Sequence, residues 1–462
     1  MVCHGVIMNN KMIFTVICML LLSLTQIANS FPYFEGVSDG DRIVVGGIDG
    51  EISTGTRFAF AVGEFESEMD TVYIEGFSPT TFGNIRYEKS SDSYIVSGSR
   101  YVSPEPYLTY LLRLDKDLKI IDSITISSEI ITEYTNHNID PDGNIYVVGL
   151  RGNDGGNSND YFLTKFSPEL EPLWEKAYGT PGNNDYGKDI AYDNGGLVMI
   201  GEGVNDLTGT LDPIVRKIDT DGNIIWELNI GDPDTYDGCQ ELFIDSNGDY
   251  LIIGENPVLP EKIFQFIVAR VSPEGTLKHL SYHGSQLTND AGFSIRETDF
   301  GYITVGYSDD YTDGYTKRAA CMIFDKNLNF VQEFLYPDSQ GHAMDIVEHK
   351  GRLYALGMAI QSENMGMVWD ISEISSIVDM QPVARELSAE RSYIIDPNSW
   401  NQYIDMLLAK SETNNDGINL KLYNLLGQEL ASGLTEVRAI VPRAGIYFLT
   451  KKDFSSIVRV TE

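Results

Sequence analysis

Seven times along this chain a short apolar run ends in glycine, at an interval that hardly changes. The runs are RIVVG ending at Gly46, YIVSG at Gly98, IYVVG at Gly149, LVMIG at Gly201, YLIIG at Gly254, YITVG at Gly306 and LYALG at Gly357, spaced by 52, 51, 52, 53, 52 and 51 residues. A period near 50 held over seven copies restricts the chain to a repeat architecture, with propeller blades the leading form. In the copy around Gly201 four short strands can be read, KDIAYD, GLVMIGEG, PIVRKID and IIWELNI, with tight turns DNGG and DTDG after the first and third. Asx and Gly suit such hairpin turns because both tolerate positive φ. Four antiparallel strands per copy make one blade, and seven blades close into an all-β ring that hides its sheet edges. The apolar run is then an inner strand covered on both faces by neighbouring blades. Its glycine is expected where the chain leaves the sheet and a side chain would crowd the next blade.

A second marker recurs with the first. Gly179, Gly231 and Gly284 each lie 30 residues after a repeat glycine and are followed six residues later by Asp185, Asp237 and Asp290. Trp174 and Trp226 hold one equivalent position, and His279 holds it in the next copy. Longer connections, LRGNDGGNSND, EGVNDLTGTLD, ENPVLPEK and YSDDYTDGYTK, join strands two and three and share a face with the links between blades. Loops on a rigid scaffold are where binding residues concentrate. Asp185, Asp237 and Asp290 enter the innermost strand on that face, so they are the candidate ligand-facing residues, for a cation or for sugar hydroxyls. The alternative is that each carboxylate caps backbone N–H groups at a blade junction.

The stretch GGLVMIGEG…DPIVRKIDTDGNIIWELNIGD…DGCQELFIDSNGDYLIIGE resembles the seven-bladed propeller repeats of exported bacterial proteins, the SBBP-like class, over about residues 31–380. The resemblance implies the fold and is nearly silent on function. Residues 1–30 read as a signal peptide, with Lys11 before the apolar IFTVICMLLLSL and ANS at the cleavage position. That run is too short for a membrane span. Cys3 and Cys18 would leave with it. Cys239 and Cys321 fall on the first strand of one blade and the third of the next, and are expected as buried free thiols.

QPVARELSAER, residues 381–391, reads as a polar linker, and 392–462 alternates apolar and polar residues as a small C-terminal β-sandwich would. DPNS near Asn398, LYNLLGQEL at 422–430 and VPRAGIYFLT at 441–450 resemble the C-terminal (Por) sorting domain of the type IX secretion system of Bacteroidetes. The motif positions are Gly427, Pro442, Gly445 and Tyr447. Ser399 replaces the second proline of the family's PNP, and Arg443 precedes Ala444. The resemblance implies export through the periplasm, the type IX machinery as partner, and an extracellular or outer-membrane-surface location.

Charge narrows the partners. The chain has 33 Lys+Arg against 68 Asp+Glu, a net charge of −35, which repels nucleic acid and anionic lipid. No G-x-S-x-G, Walker, H-E-x-x-H or C-x-x-C pattern is present, so no residue is assigned a catalytic role. His279 and His283 have helical metal-ligand spacing, but on a strand they stand roughly 13 Å apart, so no metal site is expected. The D-x-D-G-N stretches at Asp140/Asp142 and Asp219/Asp221 begin like calcium loops but lack the later ligands and the distal glutamate. They are expected as plain hairpin turns, with calcium the one cofactor left open. The first reading is a secreted or cell-surface module that binds a glycan or a protein through its long-loop face. One alternative is a polysaccharide hydrolase or lyase using carboxylates at the channel mouth. Another is a structural surface-layer or adhesion component.

Overall fold

The computed structural model describes residues 33–372, except loop segments 52–54, 65–68, 101–105, 153–157, 180–181, 205–209, 232–236, 259–262, 284–287, 311–315, 336–339 and 361–363, together with the backbone of five strands between 391 and 460. The expected signal peptide and most of the linker lie outside the described residues. The chain divides into two units, the larger spanning Leu24–Ile371 and the smaller containing Ser372–Glu462.

Among the described residues the larger unit holds seven antiparallel sheets, six of four strands and one of three, each in simple sequential order. The sheet built from Tyr186–Asp193, Gly196–Val204, Leu211–Asp219 and Ile224–Asn229 is blade 4. Its strands match the four read from sequence to within two residues. The innermost strands of blades 1 to 7 are Tyr33–Ser38, Thr81–Glu88, Thr132–Ile139, Tyr186–Asp193, Gly238–Ile244, Thr288–Glu297 and Gln340–His349. Each packs against the innermost strand of the next blade.

The apolar runs are second strands with a neighbouring blade on each face. In blade 4, Val198 and Ile200 pack with Tyr250 and Ile252 of blade 5, while Leu197 and Met199 pack with Tyr146 and Val148 of blade 3. All eight are at most 1% exposed. Burying each stabilises the ring by about 1.5–3 kcal/mol. Cys239 and Cys321 are both buried, and no disulfide joins them.

The repeat glycine has a different cause from the one expected. It sits inside the second strand, and in five blades the nearest obstacle comes from its own sheet. A Cβ at Gly149, Gly201, Gly254, Gly306 or Gly357 would fall on the carbonyl oxygen of Glu133, Tyr186, Gly238, Ala291 or His342, each on the innermost strand of the same blade. Only at Gly46 and Gly98 is the nearest obstacle a ring of the adjacent blade, Phe82 or Phe58. The carbonyl is there because every innermost strand carries a β-bulge. The bulged residues are Phe34, Gly83, Thr135, Lys188, Gln240, Phe293 and Met344. A bulge bends its strand and pushes one peptide toward the partner, which glycine alone accommodates.

The turns are self-capped. Asp140 Oδ1 accepts N–H bonds from Asp142 (3.0 Å) and Asn144 (2.9 Å), and Asp219 Oδ1 does the same with Asp221 (3.0 Å) and Asn223 (2.8 Å). Both D-x-D-G-N stretches are therefore hairpin turns. Leu118, Leu170 and Leu328 adopt φ of 59°, 60° and 61° where blades 4 and 5 use Gly222 and Gly275. Left-handed strain of about 1–2 kcal/mol is offset by burying each leucine to at most 3% exposure.

Blade 7 closes on blade 1 without strand exchange among the described residues. Val347, Tyr354, Leu356 and Val368 pack with Ile43, Val45, Ala59 and Ala61 across that seam. Gly36 N–H donates to Asp345 Oδ2 at 3.0 Å, and Ser38 Oγ lies 2.8 Å from His349 Nδ1.

In the smaller unit the five described strands form one sheet, in the order Arg391–Ile395, Phe454–Val460, Gly445–Lys451, Lys421–Asn424, Glu429–Ser432, with only the first pair parallel. The expected sandwich thus reduces to a single described sheet. Gly445 and Tyr447 pair with Val460 and Val458. Gly427 and Pro442 lie outside the described residues.

The glycine argument predicts that Gly254→Ala loses at least about 1–3 kcal/mol, the cost of overpacking. Urea unfolding of the two chains is the measurement, with the midpoint falling at unchanged slope.

Candidate functional site

A bulge resets which way the strand faces. The residues just after the bulges are Glu35, Asn84, Asn136, Asp189, Glu241, Ser294 and Asp345, and in five of them, all but Glu35 and Asn136, the side chain reaches the next blade. All are polar, in a place where burial favours apolar groups, and among the described residues hydrogen bonds account for six of them, all but Glu35. Asp189 Oδ2 accepts the Leu242 N–H (2.8 Å), Glu241 Oε2 the Ile295 N–H (2.6 Å), Ser294 Oγ the Ile346 N–H (3.1 Å) and Asp345 Oδ2 the Gly36 N–H (3.0 Å). Each bond runs from one blade to the backbone of the next, from blade 4 round to blade 1. Asn84 Nδ2 donates to Asn136 Oδ1 between blades 2 and 3.

Arg296 ties this collar together. Its Nη1 lies 2.7 Å from Glu241 Oε1 and its Nη2 lies 3.1 Å from Asp345 Oδ1, so one guanidinium of blade 6 spans blades 5 to 7. Burial pushes the Glu241 carboxyl up to about 7, against the pull of Arg296 and with Asp345 adding to the rise. Burial also raises Asp189, which Arg86 partly counteracts. Glu35 stands well above the usual carboxylate range, first through burial and then through Asp345. His137, fully buried with Nδ1 at 2.9 Å from Ser97 Oγ, is held down at about 3 by burial and by Arg86.

The bulges lie in the first half of the innermost strands, toward the long-loop face, and the six bulged residues that carry a side chain, all but Gly83, are half-buried at this mouth of the ring. Here Lys188 pairs with Glu202 at 3.1 Å. Burial works against the ammonium charge, but Glu202 outweighs it and keeps Lys188 protonated. Glu133 and Glu255 are half-buried, and both carboxyls are raised by burial. Glu255 takes a hydrogen bond from Tyr307. The rings of Phe293, Tyr307 and His342 gather on the side of Glu255. Tyr307 and His342 are 4.9 Å apart, Phe293 and Tyr307 5.8 Å, and Phe293 stacks on His342 at 6.3 Å and 10°. Burial, then Lys317, lowers His342 to about 4, leaving it a neutral ring at pH 7. The mouth thus combines aromatic faces, two carboxyls raised by burial and a half-buried ammonium.

Asp185, Asp237 and Asp290 occupy equivalent positions at the blade junctions, as their spacing required, but in the wall of the ring. They are 1%, 2% and 2% exposed. A Cβ at Gly203 or Gly231 would meet the carboxylate of Asp185 or Asp237, and Ser308 Oγ donates to Asp290. The centres of the four long connections lie outside the described residues. His279 and His283 share an outer strand, as expected, yet their Nε2 atoms both reach Ser281 Oγ, at 2.8 and 2.9 Å. Residues two apart on a strand share a face, and the imidazoles lean inward across the span that separates their backbones. Among the described residues no three His, Cys, Asp or Glu side chains could hold a metal ion.

The chain matches no family model and no curated protein. Among solved structures it is similar to the polysaccharide lyase Uly1, with a TM-score of 0.47 and 9% identity over 76% of this chain and 98% of that one. It is also similar to the Dos1 propeller, with 0.45 and 10% over 76% and 96%. The β-propeller domain of the Trilobed protease from Pyrococcus furiosus, described as having an open velcro topology, gives 0.44 and 9% over 73% and 95%. Scores below 0.5 at such identities carry no argument about ligand or chemistry.

The collar escaped sequence reasoning because its residue types vary from blade to blade. The available signal was a polar residue 11 to 14 positions before every repeat glycine. Two outcomes follow from it. Arg296→Met leaves two buried carboxylates facing each other and costs about 3 kcal/mol or more in urea unfolding. Glu241 holds its proton more tightly folded than unfolded, so its contribution is full below an unfolded value near 4.5 and lost as pH rises through about 7. Melting temperature is therefore expected to fall across that interval, with a shallower slope in Glu241→Gln.

Proposed function

We propose that the protein is an exported binding module that takes a glycan at the channel mouth on the long-loop face. One observation supports this above others: the half-buried rings of Phe293 and His342 gather with Tyr307, which hydrogen-bonds Glu255, a carboxyl that also feels the charge of Lys188. A sugar ring offers an apolar C–H face to an aromatic ring and hydroxyls to carboxylates and ammonium groups, so this mixture suits it better than a purely apolar groove would. The long connections rich in Asp, Asn, Thr and Tyr leave their strands on the same face. The C-terminal motif residues support delivery by the type IX machinery to the cell surface or the medium.

A second reading, glycosidic bond cleavage, is favoured by Glu133 and Glu255, whose carboxyls burial raises, the direction a general acid needs.

One experiment separates these readings. The full chain is incubated with an insoluble polysaccharide panel, with and without calcium, and retention and new sugar ends are both measured. Retention without new ends, reduced at least about five-fold by Phe293→Ala, is the expected result. New ends that vanish in Glu255→Gln would favour cleavage, and no retention on any polysaccharide would sink the glycan reading. Deleting residues 392–462 is expected to leave the propeller in the periplasm, as read by cell fractionation.

A further inference from the structure

The outermost strand of blade 5, Leu277–His283, departs from the pattern of its neighbours. In blades 3 and 4 the residue paired with Lys165 or Lys217 of the third strand is a tryptophan, Trp174 or Trp226. Trp226 reaches blade 5, where its Nε1 donates to Pro273 O at 3.0 Å, and Leu228 and Ile230 follow it into the core between blades 4 and 5. In blade 5 the equivalent residue, paired with Arg270, is His279, and Ser281 and His283 follow on its face. Two imidazoles and a hydroxyl thus stand where a tryptophan and two aliphatic side chains would bury more apolar surface. Packing alone gives no reason for that exchange.

The side chains converge instead. Residues four apart on a strand have backbones about 13 Å apart, yet His279 Nε2 and His283 Nε2 reach one atom, Ser281 Oγ, at 2.8 and 2.9 Å. The two nitrogens are therefore no further apart than those two bonds laid end to end. Blade 6 holds the second ring in this pose: His283 lies edge-on to Phe324 at 5.0 Å and stacks on Phe330 at 5.7 Å. His279, Ser281 and His283 are all half-buried rather than sealed. We propose that His279 and His283 form a metal site on the rim of blade 5, where their two Nε2 atoms take one divalent transition-metal ion, copper(II) before zinc, in place of the Ser281 hydroxyl.

The donor set selects the ion. Imidazole suits copper, nickel and zinc, with copper the tightest, and metal–nitrogen bonds of about 2.0–2.1 Å fit between donors that already share one hydrogen-bonding atom. Calcium and magnesium call for oxygen ligands, which this pair does not supply. No third His, Cys, Asp or Glu side chain completes the set among the described residues, so water fills the other positions. Burial holds both imidazoles below their usual range, His283 at about 4, so at pH 7 each is neutral and has a lone pair to give. Arg270, whose charge acts on His279, is balanced by Asp245 and Asp249 at 3.7 and 3.9 Å, and Asp325 acts on His279 in the opposite sense.

The site stands apart from the channel mouth and from the glycan reading, and copper(II) alone is the probe. The full chain is titrated with a copper(II) salt, followed by equilibrium dialysis and electron paramagnetic resonance. Wild type is expected to bind one ion more than the double variant His279→Ala/His283→Ala, and that extra signal is expected to show splitting from two imidazole nitrogens. The double variant also loses the packing of His283 on two phenylalanines. His279 makes no ring contact among the described residues, so His279→Gln keeps that packing. It is expected to weaken the extra ion at least about ten-fold, the least that losing even a ligand's hydrogen-bond partner costs a metal site. Equal stoichiometry in wild type and the double variant, a spectrum without imidazole splitting, or undiminished affinity in a folded His279→Gln would overturn the site.

Discussion

A side chain of one blade accepting a backbone N–H of the next is the contact on which this ring depends. It occurs at the axis, where strands converge and water is scarce, and an unmet N–H there would cost about 1–3 kcal/mol. Four such bonds run from blade 4 through blade 7 to blade 1. The rest of the blade is arranged around them. The bulge turns the accepting residue toward its neighbour, the bulge forces a carbonyl against the second strand, and that strand answers with glycine. In blades 4 to 7 the repeat glycine is thus the visible end of a chain of causes that begins with a hydrogen bond.

The same arrangement explains why charge is tolerated inside. Buried carboxylates are expensive unless each is bonded, and Arg296 supplies the countercharge where two of them meet. The weakest coverage lies in blades 1 and 2, beside the seam that closes the ring without strand exchange. The seam lies in the same sector: Glu35 follows the first bulge, and the next residue, Gly36, bonds Asp345 across it.

The period made the propeller readable, and the two-sided burial of Leu197 to Ile200 followed from an uninterrupted apolar run. Strand ends fell close to those read because Asx-Gly turns state their own geometry. The collar was not readable, because a bulge breaks the alternation by which facing is inferred and because Glu, Asn, Asp and Ser do one job in different blades. Ring closure was hidden for another reason, since packing of Val347 and Leu356 against Ile43 and Val45 leaves no mark at long range in a sequence. Asp185, Asp237 and Asp290 recurred as plainly as the glycines, but recurrence reports position and not exposure.

The axial acceptors address a main-chain N–H, and every blade offers that donor whatever its side chains. A copy of a blade inserted beside its parent would find the group it needs already in place, and so would the blade displaced by it. Selection on such a chain can then act on loops and channel residues one unit at a time, while gene duplication supplies new units whose edges already fit.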